Sequence, residues 1–308
     1  MKIIHSIDDM FQSLEPSALA LGTFDGVHIA HKEVIESVVE VAKRTGLLSV
    51  VYTFSNHPKE MNDSVETPKK LITPEKKIEI IKNLGVDVLI IVPFDDKQLN
   101  MEAETFLHSI IVDKINAKHV IVGYDFRFGR NAKGCVNMLS DHQKIFDYTL
   151  DIIKPIRHDG VIVSSTIIRN YLLNGQVEEA NTLLGRKYDL KGKVVKGKQV
   201  GKTLGFPTIN LETTYDMSVL KPGVYITETL INEVKYSSVT NVGFNPTFNQ
   251  KNFNVETFIL DFDQELYDET VHLLFARFIR PEIKFDNLED LIQQIDEDVK
   301  ITKEYFSL

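Results

Sequence analysis

The chain has 308 residues, 43% hydrophobic and 26% charged, with a formal net charge of -9; this composition excludes a disordered chain. Its acidic balance argues against a broad nucleic-acid or anionic-membrane surface, while leaving room for small phosphate ligands met by local basic clusters. At about 100–200 residues per domain the length predicts two domains, and one cysteine, Cys135, allows neither an internal disulfide nor a multi-cysteine zinc site, as suits a reducing cytoplasm.

From the N-terminus, residues 1–11 carry acids and His5 where a secretion signal would be apolar. Residues 18–21 predict a buried strand, followed by a turn-rich loop and a helix from about 31 to 44. That helix turns Val34, Ile35, Val38, Val39, Val41 and Ala42 to one side and ends at Gly46. A second strand is expected over 47–54. Thr73 as N-cap and Pro74 at the first helical position then open a helix that Gly85 ends. A buried strand over 86–92 contains the longest apolar run, 88–92, far short of the roughly 20 residues that span a bilayer. A helix over 102–115, a strand over 120–122, a helix near 136–146 and a strand over 150–153 continue the alternation. Such alternation implies an α/β domain with a parallel sheet covered on both faces and ligands beyond the carboxyl ends of its strands.

Two helices, 167–173 and 177–184, meet at Asn174-Gly175, and the domain boundary is placed at 184/185. Beyond it the period changes. Short β-rich segments at 190–195, 208–211, 224–230, 235–242, 255–260 and 271–278 precede one helix over 288–305. They predict a small antiparallel barrel or sandwich with a terminal helix.

The strongest local signal is Gly22-Thr-Phe-Asp-Gly-Val-His-Ile-Ala-His31, between the first strand and the first helix. Gly22 and Gly26 permit a tight turn, and the helix start offers unpaired N–H groups to phosphate. His28 and His31 can face one anion and stabilise charge on a transferring phosphoryl group. Thr53-Phe-Ser-Asn-His-Pro58 leaves the second strand. Gly123-Tyr-Asp-Phe-Arg-Phe-Gly129 leaves the fourth, its Phe126 and Phe128 suited either to a ligand ring or to the core. Ser164-Ser-Thr-Ile-Ile-Arg169 opens a helix. In the second half, Gly205-Phe-Pro-Thr-Ile-Asn210, Pro222-Gly-Val-Tyr225, Asn241-Val-Gly-Phe-Asn-Pro-Thr-Phe248 and Val255-Glu-Thr-Phe-Ile-Leu-Asp-Phe262 recur among the strands. Gly197 and Gly201-Lys202-Thr203 lie one residue too close for a Walker A loop.

The first-half set resembles the H-x-G-H signature of nucleotidyltransferases and the G-x-F-D-G-x-H preamble of bacterial FAD synthetases, with Ala30 in place of the glycine between the histidines. The second-half set resembles the G-F-P-T-x-N, N-x-G-x-x-P-T-F and V-E-x-x-x-x-D-F segments of riboflavin kinases, with Lys202 where arginine is common. Together they resemble the bifunctional riboflavin kinase/FAD synthetase family, which implies a Rossmann-like nucleotidyltransferase domain over 1–184 and a kinase barrel over 185–308. On that resemblance ATP in the first half is held by Gly22, Phe24, Gly26, His28, His31, Ser164, Ser165, Thr166 and Arg169. Flavin is met there by Asn56, His57, Pro58, Asp125, Phe126 and Phe128. In the second half Gly201, Lys202, Thr208 and Asn210 serve ATP, with Thr208 and Asn210 also on Mg²⁺. Tyr225 and Asn241 meet flavin there, and Glu256 is the general base for riboflavin's hydroxyl. Asp261 is either structural or a ribityl contact, and Arg280 either reaches a phosphate or pairs with Glu282. The partners implied are riboflavin, FMN, ATP and pyrophosphate, with FMN and FAD as products and neither nucleic acid nor membrane. A chain that only adenylylates FMN, its barrel inactive or merely binding flavin, is the alternative.

Overall fold

The structure is a computed structural model that describes residues 1–10, 12–61, 67–197, 201, 204–212, 219–247 and 250–308, with the backbone alone for 244–247 and 250–252. It divides into two compact units, Met1–Ser165 and Thr166–Leu308.

The first unit is built on a six-stranded sheet of β1 (Lys2–Ile4), β2 (Ser17–Leu21), β3 (Leu48–Phe54), β4 (Val88–Val92), β5 (Ala117–Gly123) and β8 (Thr149–Ile153), in the order β1-β4-β3-β2-β5-β8. Every neighbouring pair is parallel. Helices α1 (Ile29–Thr45) and α2 (Pro74–Asn83) contribute to one core layer, and α3 (Phe106–Lys114) and α4 (Val136–Phe146) to the other. Alternation along β2 explains the division: Leu19 and Leu21 point into the α3 layer, Ala18 and Ala20 into the α1 layer. The small alanines let α1 lie close over the strand that precedes it. β6 (Arg127–Phe128) and β7 (Gly134–Cys135) form a small hairpin beyond β5.

Two features depart from the sequence expectation. The helix expected over 102–115 is a short α-helical turn followed by π-helical α3, and β1 was not anticipated. Its three residues are too few to show a period and become a strand only by pairing with β4.

The second unit opens with α5 (Ser165–Leu173), which begins at the last residue of the first unit, and α6 (Val177–Leu184). A closed antiparallel barrel follows, of β9 (Tyr188–Val195), β10 (Thr208–Glu212), β11 (Gly223–Ile231), β12 (Val234–Thr247), β13 (Gln250–Ile259) and β14 (Thr270–Arg280) in the order β9-β10-β13-β12-β11-β14. Helix α7 (Leu288–Phe306) ends the chain, capped by the Asn287 side chain on the Asp290 N–H at 2.9 Å. Helix α6 belongs with the barrel because Asn181 donates to the Phe275 carbonyl at 2.8 Å and accepts from the Tyr188 N–H at 2.6 Å, while Glu178 pairs with Arg277 at 3.0 Å.

The barrel interior carries a chain of five hydroxyls. Thr229 meets Ser238 at 2.8 Å, Ser238 meets Thr227 at 2.8 Å, Thr227 meets Thr240 at 2.7 Å and Thr240 meets Thr257 at 2.9 Å. All five residues are 0% exposed, so each hydroxyl is satisfied inside the barrel. Arg280 does not pair with Glu282. Its guanidinium grips Asp298 of α7 through Nε at 2.9 Å and Nη2 at 2.7 Å, a bidentate pair with a carboxylate that is 2% exposed. Its commitment to that buried carboxylate, eighteen residues away in sequence, outweighs the nearer Glu282.

Thr240→Val keeps the shape next to the end of the hydroxyl chain while taking from the Thr257 hydroxyl its Thr240 partner; Thr227 keeps its bonds to Ser238. It should destabilise the barrel by about 1–3 kcal/mol in urea unfolding followed by a probe in the second unit. An unchanged midpoint would mean that the hydroxyls make no net contribution.

Candidate functional site

In the first unit, β2 lies between β3 and β5, so the chain leaves it towards one side and later returns on the other. This is a topological switch point, where carboxyl-end loops diverge and leave a crevice. The Gly22–His31 loop occupies it. His28 is the N-cap of α1 and its Nδ1 accepts the His31 N–H at 3.3 Å, which leaves the neutral ring's proton on Nε2. The two imidazoles stack with centroids 3.5 Å apart and planes inclined by 17°, and Phe24 meets His31 edge-on at 5.3 Å. Phe24 and Val27 hold left-handed backbone, φ 45° and 37°, and both are buried. Non-glycine residues keep such angles only where their surroundings impose them. A Cβ on Gly22 would lie 2.8 Å from the Phe24 ring, so Gly22 is what lets Phe24 fold back beneath the loop. Ala30 sits within α1 in ordinary helical backbone, where its methyl adds no strain.

Other predicted residues take several different roles. Ser165, the last residue of the first unit, donates to the Asp25 carbonyl at 2.9 Å. Ser164 is half-buried, Thr166 is exposed and Arg169 is buried on α5. Asn56 is committed to the backbone, its Nδ2 donating to the Phe94 carbonyl at 3.0 Å and its Oδ1 accepting the Phe94 N–H at 2.6 Å. It thus extends the pairing of β3 with β4 by one side chain. The His57 Nδ1 accepts from the Lys59 N–H at 3.1 Å, and Pro58 opens a short 3-10 turn. Asp125 is exposed after β5, while Phe126 stacks on Phe128 at 5.6 Å. Of the two rings, Phe128 is buried in the core against Phe106 and Phe126 is only partly buried on that cluster.

Sequence reasoning passed over Lys77. It lies on α2, 7% exposed, and its Nζ donates to the Thr23 carbonyl at 2.9 Å and the Phe54 carbonyl at 3.0 Å. Burial pulls the ammonium down to about 8, partly opposed by the Asp25 charge. The signal was present only as the second lysine of Glu75-Lys-Lys77 on an amphipathic helix, where a surface position is the ordinary reading.

In the barrel, register assembles a second group. Asn210 of β10 and Asn241 of β12 both stand directly opposite Glu256 of β13. Thr208, two residues from Asn210, lies on the same face. This row is on the outside of the barrel, because the opposite face of β12 and β13 carries the buried Thr240 and Thr257, which share the interior with Tyr225 and Thr227 of neighbouring β11. Asn254, not singled out from sequence, donates to Glu256 Oε1 at 2.8 Å and fixes the carboxylate. The period-2 spacing of Asn254 and Glu256 would have revealed it. Gly197 has the Asn210 amide where its Cβ would stand, within 2.2 Å, so glycine lets that amide lie against the loop.

Tyr225 does not join the row. It is fully buried inside the barrel, and its hydroxyl donates to the Lys221 carbonyl. Desolvation raises its ionisation far above the ordinary phenol range. Asp261 is exposed in left-handed backbone after β13. Gly201 accepts from the Leu204 and Phe206 N–H groups through its carbonyl, and Lys202 lies outside the described residues. Among the described residues no cluster of three or more His, Cys, Asp or Glu could cage a metal. Thr208, Asn210 and Glu256 instead offer hard oxygen donors on one face, a set that fits a cation keeping waters and substrate phosphates as its other ligands.

The FAD synthetase family model matches residues 10–167 and the riboflavin kinase model residues 184–306. The bifunctional riboflavin kinase/FMN adenylyltransferase of Bacillus subtilis is 35% identical over 301 residues, covering 94% of this chain and 93% of its own. That of Listeria monocytogenes is 34% identical over 293 residues, covering 94% and 92%. A solved structure described as a macrolide-efflux protein from Streptococcus pneumoniae superposes with a TM-score of 0.89 at 31% identity, covering 98% of both chains. No helix among the described residues is long and apolar enough to cross a membrane. With both motif sets matched in order and the likeness running through both halves, the chain belongs to the bifunctional riboflavin kinase/FMN adenylyltransferase family.

Proposed function

We propose that the chain makes flavin cofactors in two ATP-dependent steps, phosphorylating riboflavin to FMN and adenylylating FMN to FAD. The observation that carries this reading is that each half holds its own polar cluster, built from the motifs of one of the two families: the His28–His31 loop in the first and the Asn210–Glu256–Asn241 row in the second. The functional division we infer is residues 1–184 for adenylyl transfer and 185–308 for phosphorylation.

In adenylyl transfer a phosphate oxygen of FMN attacks the α-phosphorus of ATP, and the bond to pyrophosphate breaks. His28 and His31 face the polyphosphate, His28 with its neutral ring's proton on Nε2. Arg169, Ser164, Ser165 and Thr166 add charge and hydroxyls towards the leaving pyrophosphate. Asp125 and Phe126 stand at the exit of β5 to meet the flavin, with Phe128 supporting Phe126 from the core. In phosphorylation Glu256, held by Asn254, accepts the proton of riboflavin's terminal hydroxyl as its oxygen attacks the γ-phosphorus and ADP leaves. Thr208 and Asn210 would hold Mg²⁺, which neutralises charge on the phosphates. Asn241 beside Glu256 orients the hydroxyl. Neither step requires a covalent enzyme intermediate, only positioning and charge neutralisation. The single Cys135 and the acidic surface suit a cytoplasmic setting.

Chromatography of products from riboflavin or FMN with ATP and Mg²⁺ tests both steps. Glu256→Gln should lower FMN formation by about 10²–10⁴-fold and leave conversion of added FMN to FAD intact; a joint loss would sink the division of labour. Gly22→Ala should do the reverse. Displacing Phe24 should cost roughly 100-fold in FAD synthesis, with riboflavin phosphorylation unchanged.

A further inference from the structure

Lys77 is an expensive residue to bury. An ammonium taken out of water needs partners, and the two it has are neutral carbonyls, those of Thr23 and Phe54. Both lie where the site begins: Thr23 is the second residue of the Gly22–His31 loop and Phe54 the last of β3. The Thr23 carbonyl also accepts from the Thr53 hydroxyl at 3.0 Å, so two donors from different elements fix one peptide at the entry to the loop. The ammonium borders a cleft at the carboxyl ends of β2 and β3. Asp25 from the loop, His57 from the exit of β3 and Lys70 from the segment before α2 are the other charged or titratable groups bordering it. A staple alone would need no charge, because a neutral amine still has two N–H groups for two carbonyls. Keeping the ammonium buried there places a fixed positive charge at the sheet edge where anionic substrates meet.

We propose that Lys77 is a positioning residue for adenylyl transfer, holding the Thr23 peptide in register for the histidine loop and supplying, as an ammonium, positive charge to the adjoining cleft for a phosphate-bearing substrate. The inference rests on the adenylyl-transfer reading of the first unit. Deprotonation separates its two parts, since the amine keeps the staple and loses only the charge.

Full-length wild type, Lys77→Arg and Lys77→Met are assayed for FMN-to-FAD conversion with ATP and Mg²⁺ across about pH 6.5–9.5, with riboflavin phosphorylation measured in parallel. Wild-type kcat/KM for FAD synthesis should fall as pH rises through about 8, where the lowered ammonium loses its proton. Lys77→Arg, charged throughout, should lack that alkaline limb. Lys77→Met should be lower by roughly 10- to 100-fold at neutral pH, as for lost hydrogen bonds to a charged group, and flat across the limb. Riboflavin phosphorylation should be the same in all three. Should Lys77→Met fold poorly, the comparison of wild type with Lys77→Arg decides alone. The proposal falls if Lys77→Arg keeps the wild-type limb, or if Lys77→Met loses rate with the limb unchanged, as a purely structural lysine would. A wild type that makes no FAD from FMN at any pH would instead overturn the adenylyl-transfer reading itself.

Discussion

A strand buried in a parallel sheet spends its backbone hydrogen bonds on its neighbours along its whole length, and its chain becomes free to do chemistry only where the pairing stops. In the first unit that constraint falls hardest on β2, paired on both sides by β3 and β5 and covered on both faces. When β2 ends at Leu21 the backbone must satisfy itself within a few residues or be satisfied by others. Thr53 and Lys77 take the Thr23 carbonyl, Ser165 takes that of Asp25, and the His28 ring takes the third amide of α1, that of His31. The architecture of the site follows from that accounting. The left-handed residues and the stacked imidazoles are the shape the chain takes when those groups are paired from outside the strand.

The barrel answers the same demand by closure. With six strands paired in a ring, it has no edge to protect, and its two faces are free to specialise. The inner face is filled by aromatics and by hydroxyls that bond one another, while the outer face lines up Asn210, Glu256 and Asn241 by register alone. Because their spacing is set by strand pairing, no loop has to find them. The residues that orient Glu256 are accordingly local: Asn254 on the same strand, and the neighbours directly opposite.

Much of this was legible in the sequence, because the residues concerned are punctuation or period. Thr73-Pro74 opening α2, Gly46 and Gly185 closing α1 and α6, and the switch from helical to strand period after Leu184 all act within a few residues of themselves. What stayed hidden depends on partners distant in the chain. Arg280 finds Asp298 on another element, Asn56 serves as a surrogate strand residue for Phe94, and Lys77 is buried only because α2 lies against the ends of β2 and β3. Aromatic alternation at Phe126 and Phe128 was ambiguous for the same reason, since only packing against Phe106 assigns one ring to the core. Motif spelling pointed to the candidate site, and only the third dimension shows which of its residues are committed to the scaffold.

The five-hydroxyl chain through the barrel has a consequence for how this protein can change over generations. Each oxygen in it carries one proton and leans on the proton of a neighbour, so the acceptability of any member is conditional on the others. Losing one hydroxyl takes a partner from its neighbours in a dry interior, whereas exchanging adjoining members together for hydrocarbon of the same shape can be nearly neutral. Descendants of this sequence therefore have two accessible interiors, one hydroxylated and one hydrocarbon, with a poorly tolerated zone between them. Thr227, Ser238 and Thr240, drawn from both strands of one hairpin, should be inherited or replaced as a block.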